Sequence, residues 1–232
     1  MKKILLSVLI LSSSILFAQD SIPETQTSLN EKGKFSLEGQ IQPNFNGNVW
    51  FTSGSVRGRY FYKNNRAFRF TYSPYFTNNT DKFTENSDGT GEVGTFKTTS
   101  NRHSIGLGIE HHLGNSSKLS PYLGYGLSFS FHSDKNKAEN VMGGSYFPDY
   151  NYESKQNVYW LGAFAMAGFD WYVLTNMYLG VELGLGFYYN KEGNLKIQEN
   201  DNGDIENREY PGGSSASFKP NYNGGIRLGW RF

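Results

Sequence analysis

Side chains that alternate in size with a period of two residues constrain this chain more than any other feature, because only a β-strand places successive residues on opposite faces. Across 121–131, Pro121, Leu123, Tyr125, Leu127, Phe129 and Phe131 alternate with Tyr122, Gly124, Gly126, Ser128 and Ser130. Residues 179–189 set Leu179, Val181, Leu183, Leu185, Phe187 and Tyr189 against Gly180, Glu182, Gly184, Gly186 and Tyr188. The segment 218–232 repeats the pattern, with Phe218, Leu228, Trp230 and Phe232 against Lys219, Arg227, Gly229 and Arg231. Weaker alternation marks 34–45, 53–62, 67–76, 99–113 and 157–172. The sum is eight strands. After the first residues no apolar run is long enough for a membrane-spanning helix.

Connection lengths alternate as well. Short turns are expected at 63–66, 114–119 and 173–177, and long polar segments at 77–98, 133–156 and 190–216, with a shorter one near 46–52. Short turns on one side and long loops on the other describe an antiparallel up-and-down barrel in a membrane. A soluble barrel of the lipocalin kind has the same period in the opposite sense, with its large residues inside. An eight-stranded lumen has little room, so the Leu/Phe/Tyr face points out and the Gly/Ser face points in. Composition agrees, because aromatics at 16% and 27 glycines suit strands that need apolar side chains on one face only. Tyr62, Trp171, Tyr178 and Trp230 beside the short turns, and Phe76, Phe131, Tyr159, Phe187 and Tyr189 beside the long segments, are expected to form two interfacial aromatic girdles.

The N-terminus carries Lys2 and Lys3, an apolar stretch from Ile4 to Leu11, and small residues up to Ala18. That order predicts a secretory signal peptide at 1–18, followed by a periplasmic segment at 19–33 and the barrel at 34–232. The absence of cysteine excludes a lipoprotein anchor and disulfide staples, so rigidity has to come from a closed hydrogen-bond network. A net charge of +1 gives no reason to expect a nucleic-acid partner.

With its strand count, loop asymmetry and final strand Gly225-Ile226-Arg227-Leu228-Gly229-Trp230-Arg231-Phe232, the chain resembles the eight-stranded outer-membrane barrels, the group of the outer-membrane protein A transmembrane domain and the OmpX-like proteins. The resemblance implies a monomer in the outer membrane among its lipids and lipopolysaccharide. It also implies that the terminal aromatic, Phe232, is the signal read by the barrel-assembly machinery. Larger members continue into a peptidoglycan-binding domain, whereas this sequence stops at Phe232, so a cell-wall tether is not expected.

The inward face carries four acidic and four basic residues, Glu38, Glu110, Asp170 and Glu182 with Arg57, Arg59, Arg69 and Arg227. Counted from the short turns they lie at similar depth. Charges in a narrow lumen are costly unless paired, so a belt of ion pairs is expected, with Arg227 between Glu38 and Glu182, and Arg69 against Glu110. Two readings stay open: simple filling of the lumen, or a plug that gates a narrow path. Enzymes that modify lipids occur among membrane barrels, so the four histidines need weighing. Parity aims His103 outward and His132 inward, Ser104 also points inward, and no catalytic triad is expected. The Asp- and Asn-rich stretches Asp81 to Glu92 and Glu199 to Glu206 lack EF-hand spacing, so neither metal nor cofactor is assigned. The function expected is structural or surface interaction through extracellular loops whose ligand the sequence does not name. A narrow porin-like channel is the alternative, and a lipid-modifying enzyme is the remote one.

Overall fold

In this computed structural model, residues 30–44, 50–114, 118–221 and 226–232 are described. The expected leader at 1–18, most of the segment 19–33 and the centre of the expected turn 114–119 lie outside them. So do the side chains of 41–53 and 219–226, Lys219 among them. The described residues form β1 (Phe35–Asn44), β2 (Trp50–Lys63), β3 (Arg66–Thr84), β4 (Val93–His112), β5 (Leu119–Met142) and β6 (Ser145–Tyr172). They continue as β7 (Met177–Glu192), β8 (Leu195–Asp201), β9 (Asp204–Tyr210), β10 (Ser214–Asn221) and β11 (Ile226–Arg231). No helix among them is long and apolar enough to cross a membrane. The crossing is made by strands.

Pairing runs from β1 to β7 in sequence order, always antiparallel. β11 then pairs with β7 on one side and with β1 on the other. Eight strands therefore close a ring, and a closed ring leaves no unpaired backbone edge to face lipid. β10 sits above β11 against the upper part of β7, so the eighth position is built from two pieces. The seam is completed at the last residue, where Phe232 N donates to Phe35 O at 2.8 Å.

The alternation sorts as the sequence predicts. Leu107, Leu127, Leu161, Leu183 and Leu228 lie exposed on the outer wall, while Ala67, Glu110, Tyr122, Met166 and Asp170 are buried within. An exposed apolar wall on every side makes sense only against hydrocarbon. One aromatic departs from expectation. Tyr178 belongs to no girdle: its ring is 0% exposed and fills the lumen, because β7 presents its even-numbered residues to the inside.

The long connections also differ from expectation. Most of 77–98, 133–156 and 190–216 is paired strand rather than loop. β3 and β4 stay in register as far as Thr84 opposite Val93, and β5 and β6 remain paired to Met142 opposite Ser145 across one register shift between Glu139 and Val141. The last of these segments folds into the β8–β9 hairpin, which docks on β6 through Tyr150 to Lys155. Apolar alternation ends where lipid ends, but backbone pairing does not. The tips show how the strands turn. Gly143 and Gly144 have φ of 59° and 82°, and Asn202 and Gly203 have 51° and 90°. Positive φ at both central residues is what a two-residue hairpin of type I′ requires. At 28 residues β6 runs roughly 90 Å along its own length, at about 3.3 Å per residue. That is far more than the ~10 residues that span a bilayer.

Candidate functional site

The inward charges come together near the short-turn end of the ring, and each of the eight strands supplies a member. Glu38 lies on β1, Arg57 and Arg59 on β2, Arg69 on β3 and Glu110 on β4. Tyr122 on β5, Asp170 on β6, Tyr178 and Glu182 on β7, and Arg227 on β11 complete the set. All ten are buried.

Arg59 stands at the centre. Its Nε lies 2.8 Å from Glu38 and 2.8 Å from Glu110, and its Nη1 lies 2.5 Å from Asp170. Arg227 spans Glu38 and Asp170, at 3.0 Å each. Arg69 grips Glu182 with two nitrogens at 2.8 and 3.0 Å and reaches Glu110 at 3.4 Å. Arg57 joins Glu182 at 3.1 Å to Glu38 at 3.4 Å. Two hydroxyls complete the carboxylates, with Tyr178 donating to Glu38 at 2.9 Å and Tyr122 to Glu182 at 2.6 Å. The Tyr122 ring also lies 5.0 Å from the Arg59 guanidinium and 5.5 Å from that of Arg227.

The expected pairing of Arg227 with Glu182 is not present. Neighbouring strands suggested it, but the long Arg227 side chain passes over Gly180 and ends on Asp170 of β6, which frees Glu182 for Arg57 and Arg69. Arg69 does reach Glu110, though its shorter contacts are with Glu182. Glycine makes this possible. A Cβ on Gly180 would lie 2.7 Å from the Arg227 guanidinium carbon and 2.7 Å from an Asp170 oxygen, and one on Gly168 would lie 2.6 Å from the Tyr122 hydroxyl. The tiny face exists because large side chains from across the lumen fill it.

Four positive and four negative groups cancel, and every one of them lies in at least one ion pair, which is what makes a buried ion cluster tolerable. Arg57 Nε, Arg59 Nε and Nη2, Arg227 Nε and Glu110 Oε2 are buried without a well-aligned hydrogen bond.

One constellation was not foreseen. His112 Nδ1 lies 2.8 Å from Ser120 Oγ, its Nε2 lies 3.3 Å from Glu110, and Asn30 Nδ2 donates to the same Ser120 at 2.8 Å. Serine, histidine and glutamate in line have the composition of a hydrolytic triad. The serine is buried, however, with the Asn30 amide on its oxygen, and the carboxylate is already held by Arg59. Only the inward parity of residues 110, 112 and 120 could have signalled it. His103 faces out, against Tyr72 at 2.9 Å, and His132 faces in, against Asp134 at 2.9 Å and Ser100 at 2.8 Å. Among the described residues no group of three or more His, Cys, Asp or Glu could hold a metal ion. In the Asp81–Glu92 stretch Asp88 accepts from Thr90 N and Oγ1, and these bonds hold its carboxyl below the usual range.

Above the belt the inner wall is lined by Ser104, Gly106, Ser128 and Ser130, all partly exposed. Phe164 and Tyr188 share this level, the Phe164 ring 5.9 Å from the Arg69 guanidinium and the Tyr188 ring against Gly162 and Gly186.

A closed ring of eight antiparallel strands, apolar outside and plugged by charge inside, is a β-barrel of the outer-membrane class. No family profile and no curated protein matches the sequence. Among solved structures it is similar to a major outer membrane protein of Thermus thermophilus, with 14% identity over 86% of this chain and 98% of that one and a TM-score of 0.45. It is also similar to OprG of Pseudomonas aeruginosa (10% identity, 87% and 97%, TM-score 0.43) and to the Escherichia coli outer membrane protease OmpT (10%, 86% and 93%, 0.33). The class rests on the ring itself, since likeness at this level goes no further than the general fold.

Proposed function

We propose that this barrel is a non-catalytic, non-conducting surface protein, whose extended hairpins make contacts outside the cell while the belt seals the lumen. The observation that carries this reading is the burial of the belt: ten side chains from eight strands meet across the ring, none more than 5% exposed. The hairpins offer what a contact surface needs. They are polar and rigidly paired, and a cleft of about 340 Å³ between Phe83, Phe96, Val141, Met142, Tyr150 and Tyr152 lies at their upper end. Reconstitution in a planar bilayer tests the seal. We expect no discrete conductance steps from the native barrel; regular steps would overturn the reading in favour of the porin-like alternative. A hydrolytic role for Ser120 would need the Asn30 amide to leave it, because the serine is buried beneath that contact.

We further infer that Phe232 serves assembly, since it is exposed toward lipid and closes the seam against Phe35. Deleting Phe232 should lower the yield of heat-modifiable barrel in the outer membrane. Normal yield would show that the assembly machinery does not read this residue.

A further inference from the structure

Apolar surface meets water near the ends of the hairpins, where no lipid can cover it. Phe83 on β3, Phe96 on β4, Ala138 on β5 and Tyr150 and Tyr152 on β6 continue the inward-facing series of their strands and line one cleft of about 340 Å³. Phe83 stands seven residues beyond Phe76, and Phe96 seven beyond His103. The cleft is therefore roughly 18 Å above the last outward rings, for strands rising ~3.4 Å per residue at a tilt near 40°. Headgroups reach only about 5–8 Å past the hydrocarbon. Ala138, Val141 and Tyr150 are buried, whereas Phe83, Phe96 and Tyr152 keep part of their rings in solvent.

One cross-strand row carries the middle of this cleft and its charged ends. The register sets Asp81 opposite Phe96, Phe96 opposite Ala138, Ala138 opposite Tyr152, Tyr152 opposite Glu199 and Glu199 opposite Glu206. Residues directly opposite one another share a face, with Cβ atoms about 4.5–5.5 Å apart. The row therefore reads acid, ring, alanine, ring, acid, acid. Beside it on the same face, Tyr150 lies opposite Asp201 and Asp201 opposite Asp204. Like charges directly across a sheet repel, and little here offsets them. The stretches 83–96, 139–152 and 199–207 each hold at least two carboxylates and contain no lysine, arginine or histidine. Arg208 is shared by Glu199 and Glu206, and among the described residues Asp81, Asp201 and Asp204 have no basic partner. Nor does any group of three among the described carboxylates converge to hold a metal ion. Separated carboxylates flanking ring faces suit organic cations instead, since aromatic faces attract ammonium and guanidinium groups.

We propose that this cleft binds an extended basic peptide, which seats one large apolar side chain between the rings while a lysine or arginine on each side of it reaches Asp81 and Asp201. The cleft lies at the small end of the range for ligand pockets, about 300–1,000 Å³, so it takes a side chain rather than a folded domain. The two aspartates stand on β3 and β8, four strand spacings apart, about 19 Å along the sheet at ~4.8 Å each. In an extended peptide alternate residues share a face, and the first and fifth are about 13 Å apart. With the reach of two long basic side chains added, a basic-x-apolar-x-basic segment matches the row. This inference rests on the reading of the hairpins as a contact surface, and it names the partner that surface takes.

The test is isothermal titration calorimetry on the full barrel in uncharged detergent, with empty micelles as the blank and heat modifiability reporting the folded state. The probe is the capped pentapeptide lysine-glycine-tryptophan-glycine-lysine. One comparison peptide has glycine in place of tryptophan, and another has glutamate in place of both lysines. The native barrel should bind the probe, and salt should weaken that binding. Each comparison peptide should bind at least about tenfold more weakly, the first for want of an apolar anchor and the second for want of cations. Asp81→Asn combined with Asp201→Asn, at exposed positions outside every ion pair, should weaken the probe about tenfold and leave heat modifiability unchanged. Glu139→Gln, on the opposite face of β5, should leave the affinity unchanged. No binding to the native barrel, equal binding of the three peptides, or an unaltered double variant overturns the proposal. So does a Glu139→Gln variant weakened as much as the double variant, which would reduce the effect to diffuse attraction. Should the double variant misfold, the three peptides on the native barrel still decide. Conductance of the same preparation keeps the two readings apart: failure to bind in a barrel without conductance steps removes the peptide alone, whereas regular steps remove the non-conducting surface protein whatever the peptide does.

Discussion

Arg59 and Lys135 both hold a carboxylate at less than 3 Å, the first Glu38 at 2.8 Å and the second Glu153 at 2.7 Å. They differ in everything that decides what such a contact is worth. The Arg59 side chain is 1% exposed and shares three carboxylates with three other arginines, whereas Lys135 is 45% exposed and has one partner on a hairpin. Breaking a buried pair leaves an uncompensated charge, typically a loss of about 3–5 kcal/mol, while an exposed pair contributes ~0–1 kcal/mol. The same kind of contact is thus the most fragile in the lower barrel and one of the most replaceable in the upper one.

The contrast is tested most severely by Arg59→Met set beside Glu153→Gln. Urea midpoints in detergent should fall by the equivalent of about 3–5 kcal/mol in the first and by under ~1 kcal/mol in the second. Equal midpoints would remove the distinction. A smaller effect is expected of Tyr178→Phe, which takes one hydrogen bond from Glu38 and leaves its arginines. A loss of about 1.5–3 kcal/mol fits a bond to a charged group, and no loss would show that the tyrosine only fills space. The smallest effect lies in the hairpins, where Tyr146 donates to the Glu92 carboxylate and its phenol is pushed up to about 12 by that bond. Raised above its unfolded value near 10, this group supports the contact fully below pH ~10, and the support is lost as pH rises through 12. Ultraviolet difference titration of the native barrel against Tyr146→Phe should isolate one phenol ionising late; a normal titration would deny the bond.

These two regions were not equally legible in the sequence. Period-two alternation located the membrane part of every strand, because lipid enforces it on each outward residue. It also picked out the eight belt charges by parity alone. It stopped short of the hairpins because Lys135, Lys137 and Glu139 obey the same parity with no apolar contrast to display it. There the usable signals were Gly143-Gly144 and Asn202-Gly203, short turns inside segments read as loops. Partner choice within the belt was not legible either, since the reach of Arg227 to Asp170 depends on the bare backbone of Gly180 lying between them. Tyr122 was visible on the small face, but its hydroxyl on Glu182 follows only from the closure of the ring.

The equal charges of the belt have an electrical consequence. Arg69 and Glu182 are buried with the rest of the layer, so a voltage applied across a bilayer would act on these charges through the low-dielectric interior of the ring. Each elementary charge carried through the full drop represents about 2.3 kcal/mol per 100 mV. The layer holds equal numbers of arginines and carboxylates, so the field pulls its two halves in opposite directions and does no net work when they move as one body. Only separation of an arginine from its carboxylates would be driven by voltage, and at about 100 mV that drive is smaller than the ~3–5 kcal/mol holding them together. A belt balanced in this way is indifferent to membrane potential as long as it stays paired.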